Sequence, residues 1–295
     1  MDEISRLLVK YDESYIQKNL HNAADVTAFA TTFYKDVAEL YDCITRVKNT
    51  VRNPSGYSLA DAPILGLLVR TWKLLKELIR YYEESNAEII GVLERPLLEA
   101  AVTARYLMNA DERVIEDYRK CSYKDRLRIL RDLKAGSPFF NTNAGQRLLL
   151  AVRQKLALES LSEESFALQK RNRWRLQGKN FFEIFAEVEH EELYPSTYGI
   201  MSESIHGSWN DSMDYDLLRN DDATFSAFPF YQPADIRYVT PLLRFVTPAY
   251  RLWLRRIRAE DGGLEHVLDW SDRVNRALYR RFDETYTGQQ PDATA

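Results

Sequence analysis

Glycine is scarce in this chain, at 11 of 295 residues, and the long segments are dominated by Ala, Leu, Glu and Arg, which favours helices. Cysteine is scarcer still. Only Cys43 and Cys121 are present, without metal-ligand spacing, so neither a disulfide framework nor a zinc site is encoded. No run approaches the roughly 18 uninterrupted apolar residues of a membrane-spanning helix. The first residues, MDEISRLLVKYDESY, are charged rather than signal-like. A reduced, cytoplasmic, membrane-free protein is the expectation. No Gly-rich phosphate loop follows a strand, so P-loop and Rossmann readings fail. No GxSxG elbow is present, and two residues on one helix seldom align for in-line attack, which leaves serine hydrolase chemistry without support. HEELY at His190 begins like a zincin motif, but Tyr194 stands where the second His belongs. Neither a metal nor another cofactor is expected.

What is present reads as helix almost throughout. Hydrophobic residues make up 45% and charged residues 28%, ordinary for a globular protein. Apolar residues recur at three and four in DEISRLLVKYDESYIQ, from Asp25 to about Val51, and from Ile64 to Tyr82. Asp61 is a candidate N-cap with Pro63 in the first turn. A further helix runs from about Ala87 to Met108 and contains Pro96. That proline deletes one backbone hydrogen bond and crowds the preceding turn, so a kink or a fresh helix start is expected there. Asp111 caps a charged helix to about Leu133, and AGSPFFNTNAG is a mid-chain loop. Helices resume at about Gln146–Ser160, after Ser162, and over Lys179–Glu192. The stretch 210–233 is acidic and aromatic with little periodicity. Its length suits a lid, a partner-binding loop or irregular cover. Two helices follow, over about Ala234–Ala259 and Leu264–Tyr286, and 287–295 reads as a disordered tail. The expectation is an all-α multi-helix bundle with a kinked central helix, forming one domain over 1–286.

Tyr194, Tyr198, Ser202 and His206 recur at intervals of four. On an α-helix that spacing makes a slowly winding stripe along one side. A core-facing helix normally shows Leu, Ile and Val there, so a stripe of phenols, a hydroxyl and an imidazole marks a candidate site. A second set, Arg95, Glu99 and Thr103 with Tyr106 beyond, shares a face in ERPLLEAAVTARYL. Arg95 and Glu99 are either a surface ion pair or, on a central helix, a desolvated pair needing further partners. His206 precedes Gly207, so it reads either as a residue at a glycine-capped helix C-terminus or as a general acid or base suited to neutral pH. Two basic stretches surround tryptophans: Lys170, Arg171, Arg173, Trp174, Arg175 and Lys179 in one, and RLWLRRIR, Arg251 to Arg258, in the other. Arginines beside an aromatic ring suit phosphate contact with base stacking, or else form a solvated face whose stems cover apolar surface. The net charge of −4 argues against a nucleic-acid coat over the whole surface while leaving room for a local patch.

These residues together resemble a largely bacterial family known as domain of unknown function five-six-seven-seven. The resemblance rests on Arg95 and Glu99, then Tyr106, Trp174, Tyr194, Tyr198, Ser202, His206 and Gly207, and covers about residues 85–210. It implies a helical fold related to HEPN-type proteins, many of which are metal-independent ribonucleases of toxin–antitoxin and antiphage systems. Their hallmark places an Arg four to six residues before a His on one helix. No Arg lies in that window before His206, so the arginine must come from another helix, as Arg95 would. On this reading His206, Arg95, Glu99, Ser202 and Tyr198 are catalytic. Tyr106, Tyr194, Lys170, Arg171, Arg173, Trp174, Arg175 and Lys179 bind RNA or a nucleotide. The competing reading is a non-catalytic helical module, docking an operon-encoded protein or a second copy of itself, in which the same set is a buried polar network. Both require the segments around 95 and 206 to meet.

Overall fold

The computed structural model describes residues 11, 13–48, 55–166, 175–259 and 263–287. Among these, twelve α-helices and one two-stranded sheet make an all-α architecture. The helices are α1 (Glu13–Asn19), α2 (Ala23–Arg46), α3 (Ala62–Glu83), α4 (Ala87–Asn109), α5 (Glu112–Cys121), α6 (Lys124–Lys134), α7 (Asn143–Leu158), α8 (Phe181–Val188), α9 (Ile200–His206), α10 (Trp209–Tyr215), α11 (Thr240–Arg256) and α12 (Gly263–Thr287). No helix among the described residues is long and apolar enough to cross a membrane. The tail over 288–295 lies outside the described residues.

Side-chain capping sets several of the boundaries. Asn22 accepts from the Asp25 amide at 2.8 Å and starts α2. Asp111 accepts from the amides of Arg113 and Val114 and starts α5, satisfying donors that have no intrahelical partner. Asp61 behaves differently from the expected cap. Its side chain makes no capping bond and instead receives the Arg256 Nε–H at 2.7 Å. A buried carboxylate gains more from a guanidinium than from one amide. The charged segment after Asp111 is two helices rather than one, broken at Ser122 and Tyr123.

By their contacts the residues divide into two compact units, one of 1–109 with 184–295 and one of 110–183. In the first, α4 is central: it packs against α3, α11 and α9. Leu97, Leu98, Ala101, Val102, Ala104 and Leu107 are all buried, and the alanines let neighbouring helices approach closely. Each fully buried leucine contributes about 1.5–3 kcal/mol. The helix runs unbroken across Pro96, so no fresh start occurs there. Proline leaves the carbonyl of Val92 without its usual donor, and Val92 is exposed, so water can take its place.

The same unit satisfies its buried phenols. Tyr41 and Tyr250 stack at 4.1 Å; the Tyr41 hydroxyl lies 2.7 Å from the Thr247 hydroxyl, and Tyr250 donates to the Leu68 carbonyl. Three of the four arginines of the 251–258 stretch form ion pairs here too. Arg251 pairs with Asp269 and Asp272, Arg255 with Glu265, and Arg256 with Asp61, while Trp253 is fully buried. Arg251, Arg255 and Arg256 thus serve to tie this helix to its neighbours. The 210–233 segment is more ordered than its aperiodic sequence suggests. It holds most of α10 and a hairpin of β1 (Leu217–Arg219) and β2 (Phe225–Ala227), with Leu217 opposite Ala227 and Arg219 opposite Phe225. In the second unit, Tyr123, Leu130, Phe140, Leu149, Val152, Leu156 and Phe166 form a separate small core.

Candidate functional site

Arg95 and Glu99 lie one turn apart on α4, and the Arg95 Nε–H donates to Glu99 Oε1 at 3.2 Å. The chain then travels away and returns through α8 into an irregular turn. Within it, the Gly199 amide donates to the Tyr194 carbonyl at 3.0 Å, a step of five residues that makes Pro195–Gly199 a π-helical turn. Such bulges inside helices re-aim side chains and recur at functional sites. Here the turn sets Tyr194 and Tyr198 stacked at 4.9 Å. The Tyr198 hydroxyl donates to Glu99 Oε1 at 2.5 Å, and the Arg95 guanidinium lies over the Tyr198 ring at 4.5 Å. One carboxylate oxygen thus receives both a phenol and a guanidinium, while the phenol's ring takes the cation's face.

After the π-turn, α9 is regular and ends at His206. Gly207 follows with φ of 58°, the left-handed cap conformation that glycine adopts without cost. This termination aims the imidazole back at α4. Arg95 Nη1 lies 3.1 Å from His206 Nε2 across 111 positions of sequence. A guanidinium has only donors, so in this hydrogen bond Arg95 gives and Nε2 accepts. Close helix approach makes the contact feasible. A Cβ at Gly91 would come within 2.7 Å of the Ser204 hydroxyl, so α9 rests on α4 where α4 has no side chain.

The assembly is open on one side. His206 is exposed, and the Arg95 and Glu99 side chains retain 20% and 40% of their accessible surface. Tyr198 is buried, and desolvation together with its bond to Glu99 raises its pKa well above the ordinary phenol value. Tyr194 is shifted the same way, first by burial; its ring packs edge-on against Phe185.

The structure therefore brings together Arg95, Glu99, Tyr194, Tyr198 and His206. Ser202 is adjacent but turned inward, its hydroxyl donating to the Tyr198 carbonyl at 2.6 Å and so bracing the π-turn rather than orienting His206. The four-residue stripe is consequently not one continuous α-helical face. Tyr106 is buried at 7% exposure, on the order of 16 Å along the helix axis from Arg95, and so lies apart from the cluster. Lys170, Arg171, Arg173 and Trp174 lie outside the described residues. Arg175 and Lys179 belong to the second unit, where Arg175 donates to the Gly178 carbonyl and Leu176 and Lys179 exchange backbone bonds.

Three features have no counterpart in the sequence reading. Glu94, next to Arg95, is half-buried in a dense surround, and desolvation pushes its carboxyl from 4.5 up to about 8. Its charge is felt by Tyr215 and Tyr238, whose hydroxyls lie 2.9 Å apart. Arg105 pairs with Glu189 and donates to the Val188 carbonyl, joining α4 to the end of α8. A lone acidic residue beside an arginine and a tyrosine pair 23 positions apart carry no distinguishing spacing. Among the described residues, no group of three His, Cys, Asp or Glu is placed to hold a metal ion.

No curated protein and no solved structure matches this chain. The sequence model described as "Family of unknown function (DUF5677)" matches residues 61–225, a span that takes in α3 through β1 and every member of the Arg95–His206 cluster. With more than half of its length matched, the chain belongs to that family of unknown function.

Proposed function

We propose that this chain is a metal-independent nuclease-like enzyme acting on RNA or a nucleotide through the Arg95–His206 pair, in a defence or toxin-like role of the HEPN kind. The observation that carries the reading is the 3.1 Å approach of Arg95 Nη1 to His206 Nε2 at a solvent-open position. It supplies from two helices the arginine and histidine that HEPN-type ribonucleases carry on one. In this mechanism His206 Nε2 takes the proton of a ribose 2′-hydroxyl. The freed oxygen attacks phosphorus, the bond to the 5′-oxygen breaks, and that oxygen takes a proton from the imidazolium or from water. The products are a 2′,3′-cyclic phosphate and a 5′-hydroxyl. Arg95 leaves Nε2 for the phosphate and stabilises the charge that grows on its oxygens. Glu99 and Tyr198 hold the guanidinium in register for both positions. Ser202 positions Tyr198 through the backbone.

A second reading is favoured by one observation: Glu99 already receives both Arg95 and Tyr198, so much of the set is paired without any ligand. On that reading the cluster fixes the docking of α9 on α4 in a non-catalytic module that binds a protein partner. Total RNA incubated with the purified protein under chelator separates the two. Cleavage leaving cyclic phosphate ends, reduced by about 100-fold or more in His206→Ala with Tm held within a few degrees, is the expected result. Cleavage unchanged in the variant, or a large loss of Tm, removes the catalytic reading.

A further inference from the structure

The exposed apolar surface of the first unit is concentrated immediately after His206. Trp209 retains 59% of its surface and Phe225 44%, yet their rings meet edge-on at 5.7 Å. Trp209 and Met213 are four apart on α10 and share its face, and Met213 is exposed as well. The hairpin is closed at its base by the Phe228 amide donating to the Asp216 carbonyl at 2.7 Å. Helix and hairpin thus present one apolar face with nothing seated on it among the described residues.

The segment that carries that face is acidic. Residues 209–227 contain five aspartates and a single arginine, Arg219. The segment therefore carries a net −4, the net charge of the entire chain, so the remainder is balanced. Among the described residues, none of Asp211, Asp214, Asp216, Asp221 or Asp222 enters an ion pair; Asp222 accepts from the Thr224 amide and hydroxyl. An apolar face on a segment of net negative charge discriminates among occupants. Phosphodiester chains are repelled. A second copy seated face to face would set −4 against −4. A protein segment that is basic and amphipathic satisfies both the aromatic pair and the segment's negative charge.

We propose that α10 and the β1–β2 hairpin form a docking surface for a basic, amphipathic segment of another protein, with Trp209 and Phe225 as its anchors. The proposal is independent of any catalysis at His206, because its readout is binding alone.

The test titrates the full chain with an amphipathic helical peptide of leucine and lysine. The same peptide with its apolar face scrambled, a leucine–glutamate counterpart and single-stranded oligouridine serve as comparisons. The leucine–lysine peptide should bind at least about tenfold more tightly than each comparison. Trp209→Ser combined with Phe225→Ser should weaken it about tenfold. Asp214→Asn with Asp221→Asn and Asp222→Asn should weaken it and flatten its salt dependence, while circular dichroism shows both variants folded. Three results overturn the proposal: equal binding of the scrambled peptide, binding unaffected by either variant, or displacement of the peptide by oligouridine. A dimer in velocity sedimentation that Trp209→Ser dissociates would likewise overturn it, by showing a second copy as the occupant.

Discussion

Tyr198 gives its proton to the same Glu99 oxygen that receives the Arg95 Nε–H, so this phenol decides how firmly the guanidinium is held. Tyr198→Phe keeps the ring beneath Arg95 and removes only the 2.5 Å bond. A hydrogen bond to a charged group contributes about 1.5–3 kcal/mol, and the partial exposure of Glu99 places this one at the lower end. Chemical denaturation should show a loss of about 1–2 kcal/mol, and any RNA cleavage should fall through kcat more than through KM, because a loosened Arg95 is felt most as phosphate charge grows. Cleavage by the variant at the wild-type rate would remove Tyr198 from the positioning of Arg95. Glu94 makes a different demand. Its folded pKa of about 8 lies above the ordinary 4.5, so the folded state holds its proton more tightly than the unfolded chain. The stability this provides is complete at pH below the ordinary value and is lost as pH rises through the folded value. Wild-type Tm should therefore decline by a few degrees between about pH 5 and about pH 8.5, and Glu94→Gln, which cannot ionise, should flatten that decline. An equal decline in the variant would assign the pH dependence to other groups.

At the scale of elements, most helices were legible because each rests on local rules. Periodicity marks α3 and α4, Asp111 caps α5, and Gly207 stops α9 in the left-handed conformation. What escaped depends on contacts distant in sequence. The π-turn at Pro195–Gly199 follows from packing, since spacing by four describes a regular helix equally well. Hairpin strands of three residues are too short for alternation to show. Asp61 looked like a cap until Arg256, 195 positions away, took its carboxylate. The faces of α4 and α9 were readable, whereas their meeting was not, because periodicity says which side is buried and not against what. Gly91 records that meeting in one atom. Its absent Cβ would sit 2.7 Å from Ser204 Oγ and 3.2 Å from Ser204 Cβ. Gly91→Val should lift α9 from α4 at a cost of about 1–3 kcal/mol, and should reduce any His206-dependent activity more than a distant mutation of equal ΔΔG. Adding Ser204→Gly should restore part of both. A Gly91→Val protein of unchanged stability would show that α9 is free to shift.

Across the whole molecule, charge is distributed in a way that composition alone conceals. A net of −4 with a sequence pI near 5.7 suggests a mildly acidic surface, yet the segment 209–227 accounts for all of it. Three of the four 251–258 arginines, Arg251, Arg255 and Arg256, pair with Asp61, Glu265, Asp269 and Asp272. Within the first unit Arg95 is the cation that the site itself offers to a phosphate, and its partner His206 lies just ahead of α10 with its aspartates. Counterion release then limits how strongly salt can weaken RNA binding, at a slope near −0.7 for each phosphate neutralised on a single strand. If Arg95 engages one or two phosphates, a plot of log Kobs against log salt concentration for a short single-stranded RNA should have a slope of about −0.7 to −1.4. Arg95→Gln should bring that slope towards zero. A slope steeper than about −3 that survives Arg95→Gln would place RNA binding on cations elsewhere in the chain, Lys170, Arg171 and Arg173 first among them, and would separate RNA affinity from the Arg95–His206 pair altogether.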